Sequence, residues 1–134
     1  MDLMPLATLL SDAGLGTLGQ TANSSAVSIY INMMPAEAEL AILLRTPLSG
    51  TRIDYELPGY YRTEFQVIVR GRSYAAASDL MARVLESLTF LVETQLDSIA
   101  IKHCRPRTEP VPFPLSKGNL LEFNVMFDIA FTKI

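Results

Sequence analysis

The chain has 134 residues, 49% of them hydrophobic and 19% charged, which excludes a disordered chain and fits one domain, residues 1–134, burying about two-thirds of its surface on folding. Its formal charge of −3 lacks the basic surplus that phosphate neutralisation requires of a free-standing nucleic-acid binder, so stable DNA or RNA binding is not expected. No apolar run reaches the roughly 18–20 residues of a membrane span, and a single cysteine, Cys104, excludes an intramolecular disulfide.

Residues 2–13 predict a short amphipathic helix. Leu3, Leu6, Leu9, Leu10 and Ala13 share its face, Asp2 is a candidate N-cap, and Gly14 a stop. Asp2 stands where a secretory leader would carry basic residues, so the segment reads as a cytosolic start. Leu15–Ser25 is a glycine-rich polar loop. Ser25–Met34 alternates as a strand, with Val27, Ile29, Ile31 and Met33 on one face, and Pro35 ends it. Glu39–Arg45 is the next strand, and the short link between the two predicts an antiparallel hairpin. Thr46–Gly59 is a long excursion with two prolines, two glycines and room for a short strand at Arg52–Glu56. Such a loop reads as a contact arm for a partner or as a floppy hairpin tip.

Tyr60–Leu91 then combines two periods. Thr63, Phe65, Val67 and Val69 recur every second residue, which predicts a strand from Tyr60 to Arg70 with one wet face. After Arg70-Gly71-Arg72 the apolar positions Tyr74, Ala77, Met81, Val84, Leu88 and Leu91 take helical spacing. That predicts a helix from Tyr74 to Glu93 with Ser73 as N-cap. Asp97–Cys104 is a strand. Arg105–Lys117 holds four prolines in nine residues, so it is an extended arm, an edge segment or a rigid linker, and not a central strand. Gly118–Lys133 is the most regular strand, with Leu121, Phe123, Val125, Phe127, Ile129 and Phe131 in one inward row. The order α-β-β-β-α-β-β predicts an α+β fold: a mostly antiparallel sheet of four to five strands, flanked by two helices, with the last strand central.

Residue chemistry is sparse. There is one histidine beside the one cysteine, and no HExxH, CxxC or DxDxDG pattern, so no metal ligand set is expected. His103 and Cys104 adjoin on a strand and point to opposite faces, which argues against a catalytic pair. Gly14-Leu15-Gly16-Thr17-Leu18-Gly19 matches GxGxxG but follows no strand, so no cofactor is expected. Glu37 with Glu39, and Asp54 with Glu56, are acidic pairs with no neighbour to raise a pKa. Arg62, Arg70 and Arg72 form a basic cluster that reads as inter-subunit pairing with such carboxylates or as a solvated strand face. Tyr60, Tyr61, Tyr30 and Met34 are further interface candidates.

Ile29–Pro35 (IYINMMP), Phe65–Gly71 (FQVIVRG) before a small-residue helix, the proline-rich link and the aromatic-alternating last strand together resemble the tail-completion and minor capsid proteins of long-tailed bacteriophages. In particular the chain, from about Asp2 to Lys133, is similar to a tail terminator. The resemblance implies an α+β subunit of a hexameric ring. Such a ring caps the tail tube, stops its elongation and offers the head-attachment surface. Its partners would be copies of itself, the tail tube protein and a head-completion or connector protein, with DNA passing through the lumen unbound. The implied place is the head-proximal end of the virion tail, after assembly in the host cytoplasm. Neither catalysis nor a cofactor is implied. The family's interfaces map only loosely, to Thr46–Gly59 and Arg70–Arg72, and charge reversal at Arg70 and Arg72 is expected to abolish ring assembly with the fold intact. The alternatives are a head-completion, connector or tail-tube-related protein, or a small enzyme or ligand-binding domain, which would need a pocket of convergent polar groups.

Overall fold

A computed structural model of the chain describes residues 1–18, 27–35, 38–47, 49–114 and 120–133. Its elements run α1 (Met4–Asp12), β1 (Thr17–Leu18), β2 (Ser28–Ile31), β3 (Ala41–Arg45), β4 (Tyr60–Gly71), α2 (Tyr74–Leu88), β5 (Thr94–Leu96), β6 (Ile99–Pro106), β7 (Val111–Pro114) and β8 (Leu121–Lys133). The centre is the antiparallel pair β4 and β8, in register from Tyr60 opposite Thr132 to Gly71 opposite Leu121. The alternation along both strands puts Phe65, Val67 and Val69 on the same face as Phe123, Val125, Phe127, Ile129 and Phe131, and all eight are buried. The Phe65 and Phe127 rings stack with centroids 5.1 Å apart. Burying whole aromatic side chains contributes about 1.5–3 kcal/mol each, so this row anchors the core.

The helix α2 covers that row. Ser73 caps it, its Oγ accepting from the Ala76 amide at 3.1 Å, and Ala77, Leu80, Met81, Val84 and Leu88 face inward. Gly71 permits the close approach: a Cβ there would lie 3.0 Å from the Ala77 Cβ and 3.2 Å from its backbone. Leu3, just before α1, and Leu6, Ala7 and Leu10 on it join the same core. The Asp2 carboxylate accepts from the Met4 amide, while the capping position itself falls on Leu3. Gly14 takes φ 79° at the helix end, the left-handed geometry glycine adopts without a Cβ penalty.

The expectation of a four- to five-stranded, mostly antiparallel sheet is overturned. The sheet has eight strands in the order β1-β2-β3-β4-β8-β6-β5, with β7 also on β8, and it is mixed and curled into a half-barrel. Two causes account for the difference. First, β2 and β3 pair in parallel, Ser28 opposite Ala41 and Ile31 opposite Leu44, and not as a hairpin. Ala41–Leu44 are all buried, a continuous apolar run of the kind that a parallel strand covered on both faces requires. Asn32, at φ 65°, fixes the parallel ends side by side by accepting from the Thr46 amide at 2.8 Å.

Second, three short strands arise where other structure was expected. Thr17–Leu18 lies in the expected loop and pairs with β2. The expected helix to Glu93 stops at Leu88, because Phe90 bridges Cys104 and Thr94–Leu96 forms a hairpin with Ile99–Ile101. Asp97, at φ 50°, makes that tight turn. Val111–Pro114 adds to β8 beyond the end of β6, an edge position in which prolines without N–H groups are tolerated. Arg52–Glu56 carries no strand.

Candidate assembly interface

Both helices lie on the inward face, so the other face of β4, β8 and β6 carries the polar side chains. A bulge decides which ones. Ile101 pairs with Phe131, but the next pair is His103 with Ala130, so Lys102 is the extra residue. Such an insertion reverses the alternation downstream. Cys104 therefore turns inward opposite Ile129, and His103 and Arg105 turn outward opposite Ala130 and Asp128. Burial, and then the nearby Asp128 charge, push the Cys104 thiol up to about 12 from an ordinary 9.0, which keeps it in the un-nucleophilic thiol form at neutral pH.

On the outer face Glu64 lies opposite Asp128, and Arg107 neutralises both. Its guanidinium pairs with Glu64 and with Asp128 Oδ1 at 2.6 Å. The hydrogen bonds from Arg107, more than the charges of Arg107, Arg105 and His103, hold the Asp128 carboxyl below its ordinary value. These groups border a cleft of ≈ 400 Å³ that also reaches Arg52, Arg62, His103 and Arg105. Beside it, a groove of ≈ 690 Å³ is lined by Arg52, Ile53, Asp54, Tyr55, Glu56, Tyr60 and Arg62. The groove follows the excursion before β4, whose apolar side chains stand in solvent: Ile53 is 60% exposed, Tyr55 88% and Leu57 53%.

The expected interface residues therefore separate into two groups. Asp54, Glu56, Tyr60 and Arg62 come together along the groove. Arg70 and Arg72 lie at the other end of β4, eight and ten residues on, or about 26 Å and 33 Å at strand rise. There Arg72 pairs with Glu39 at 2.6 Å, both half-exposed. Arg70 is only 9% exposed. It pairs with Glu122 at 2.9 Å and donates to the Ala38 carbonyl at 2.8 Å, so it ties β4 to β8 and to the segment before β3 within one chain. Tyr61 stacks on Phe131, ring centroids 5.2 Å apart, with Lys133 Nζ 4.9 Å from its ring. Glu37 lies outside the described residues.

His103, Arg105, Arg107, Glu64 and Asp128 were not singled out as a group in the sequence. The bulge that aligns them leaves no mark in the apolar pattern, although Arg105-Pro106-Arg107 places two cations around an edge proline. Among the described residues no cluster of three histidine, cysteine or acidic side chains could hold a metal, and no helix is long and apolar enough to cross a membrane. Chemically the surface offers ion pairing and apolar contact.

The family model described as bacteriophage tail terminator protein matches residues 9–133. No curated protein matches the chain. Among solved structures, a chain from the virion of a native gene transfer agent particle is 16% identical, with 94% of this chain and 85% of that one covered at a TM-score of 0.57. A second solved chain is 20% identical, with coverage of 96% and 94% and a TM-score of 0.50. At such identities the two structures establish likeness of fold.

Proposed function

Because this chain belongs to the bacteriophage tail terminator family, and so has a structural role in the phage tail, we propose that it acts as a single domain whose copies form a hexameric ring. The ring caps the tail tube at the head-proximal end, stops its elongation and offers the surface for head attachment. It assembles in the host cytoplasm, catalyses nothing and binds no cofactor. Its partners are its own copies, the tail tube protein and a head-completion or connector protein, and DNA passes its lumen without specific binding.

The observation that carries this reading beyond family membership is the excursion 46–59. Ile53, Tyr55 and Leu57 are each exposed, alternating in sequence with Asp54 and Glu56, and Ile53 and Tyr55 line the same groove. Exposed apolar side chains rimmed by charge mark a protein contact, and aromatic residues dominate the energetics of such contacts. Among the described residues the sheet ends on β1 and β5, and a strand at a sheet edge that is left unpaired can pair with a neighbour. A head-to-tail contact closes into a ring when its rotation divides the circle.

The test is light scattering and negative-stain microscopy of the purified protein, alone and with isolated tail tubes, for wild type and Tyr55→Ala. Rings or capped tubes are expected for wild type. Tyr55→Ala should weaken assembly at least tenfold with an unchanged unfolding midpoint. A wild-type protein that stays monomeric at high concentration and leaves tubes uncapped overturns the reading.

A further inference from the structure

Three cations in the outer-face cleft have no ion-pair partner among the described residues. Arg107 takes both carboxylates there, Glu64 and Asp128. That leaves Arg52, Arg62 and Arg105, all exposed, lining one cleft with no carboxylate in ion-pair contact, Asp128 acting on Arg105 only at longer range. Its wall adds an independent sign. His103 Nδ1 is buried with no hydrogen-bond partner, the one such side-chain atom among the described residues. His103 lines this same cleft, so the imidazole stands beside the three guanidinium groups.

We propose that this cleft is a carboxylate socket for the acidic helical layer of a second copy. The inference rests on the self-assembly described above and names one of its contacts. Charge complementarity identifies the occupant. On the opposite side of the sheet, α1 and α2 present Asp12, Asp79 and Glu86 against a single cation, Arg83. All four are turned to solvent. None of those three carboxylates forms an ion pair within the described residues. Asp79 and Glu86 are seven residues apart, two turns on one face of α2, so both can meet the same partner surface. A chain that is cationic on its sheet face and anionic on its helical face associates front to back, the heterologous arrangement from which rings are built. Guanidinium groups recognise carboxylates through bidentate hydrogen bonds. A cleft of ≈ 400 Å³ holds side-chain carboxylates but does not track a DNA backbone, and the chain's net charge of −3 opposes a duplex.

The experiment compares wild type, Arg62→Glu and Asp79→Lys/Glu86→Lys by analytical ultracentrifugation at 50 and 300 mM NaCl, with urea midpoints as the folding control. Each variant alone should associate at least tenfold more weakly than wild type. An equimolar mixture of the two should regain association, because each restores the other's complement. Wild-type association should weaken with salt. Wild-type assembly matched by Arg62→Glu would overturn the socket and leave the ring reading standing. A wild type that never assembles, even on tubes, overturns the ring reading itself. Loss in Arg62→Glu with full assembly of the helix variant would overturn the second copy as occupant. Binding of a labelled DNA duplex by wild type that is lost in Arg62→Glu would overturn the carboxylate assignment in favour of phosphate.

Discussion

Arg70→Met isolates what the one nearly buried arginine does. The substitution keeps an unbranched side chain of similar length and removes the charge and every donor. It deletes the 2.9 Å ion pair with Glu122, the 3.0 Å Nε bond to the same carboxylate, and the bonds to the Ala38 and Pro35 carbonyls at 2.8 and 3.4 Å. Glu122, whose side chain is 16% exposed, is left without its partner. Removing one member of a buried pair costs about 3–5 kcal/mol, much of it the stranded charge. Because this pair keeps some solvent contact, the expected loss is about 3 kcal/mol, a large share of the roughly 5–15 kcal/mol that holds a domain together. Arg72→Met is the control. Its pair with Glu39 is about half-exposed on both sides, and such pairs contribute about 0–1 kcal/mol. Urea unfolding of both variants at one fixed protein concentration gives the comparison, and Arg70→Met/Glu122→Met should recover most of the loss. If Arg70→Met and Arg72→Met fall within about 1 kcal/mol of each other, the assignment of Arg70 to the fold is refuted. The same reasoning makes Arg72→Glu the cleaner test of this turn as an assembly surface, since reversal at Arg70 also loads the fold.

Two further outcomes follow from packing and burial. Gly71→Ala should destabilise by about 1–3 kcal/mol, because the added methyl meets Ala77 at 3.0 Å; a neutral urea midpoint would show that α2 can move away freely. The Cys104 thiol should react with a thiol reagent at pH 8 only as fast as the protein opens, and faster labelling would contradict its burial. Its raised value places a pH window on stability: the contribution is complete below pH 9.0 and is lost as pH rises toward about 12. Cys104→Ala should flatten that alkaline decline, and an unchanged slope would assign it to other groups.

Much of the fold is legible in residue order because its central elements are periodic. The period-two rows of Tyr60–Gly71 and Leu121–Lys133 and the helical row from Ala77 to Leu88 each specify an element and its buried face, since alternation and 3.6-residue repeats are geometric properties of the backbone. Tyr74 and Leu91, at the ends of the expected helical row, are exposed. Gly71 and Ser73 mark the junction locally, one by close approach and one by capping. The family resemblance was legible too, carried by phrases such as FQVIVRG and confirmed by the match over residues 9–133.

Pairing direction, strand number and the outer-face cleft were decided by tertiary structure. A strand's own sequence specifies its faces but not its neighbour, so the parallel union of β2 with β3 depends on what covers both faces of Ala41–Leu44. Two- to four-residue strands such as Thr17–Leu18 are too short to display a period and exist because an adjacent edge supplies their hydrogen bonds. The one extra residue at Lys102 rotates His103 and Arg105 onto the face of Arg62 and Asp128, bringing together side chains from three separate strands. Residue order determined the scaffold, because periodicity is local. The arrangement of its charges is a property of register, which is fixed only when the strands meet.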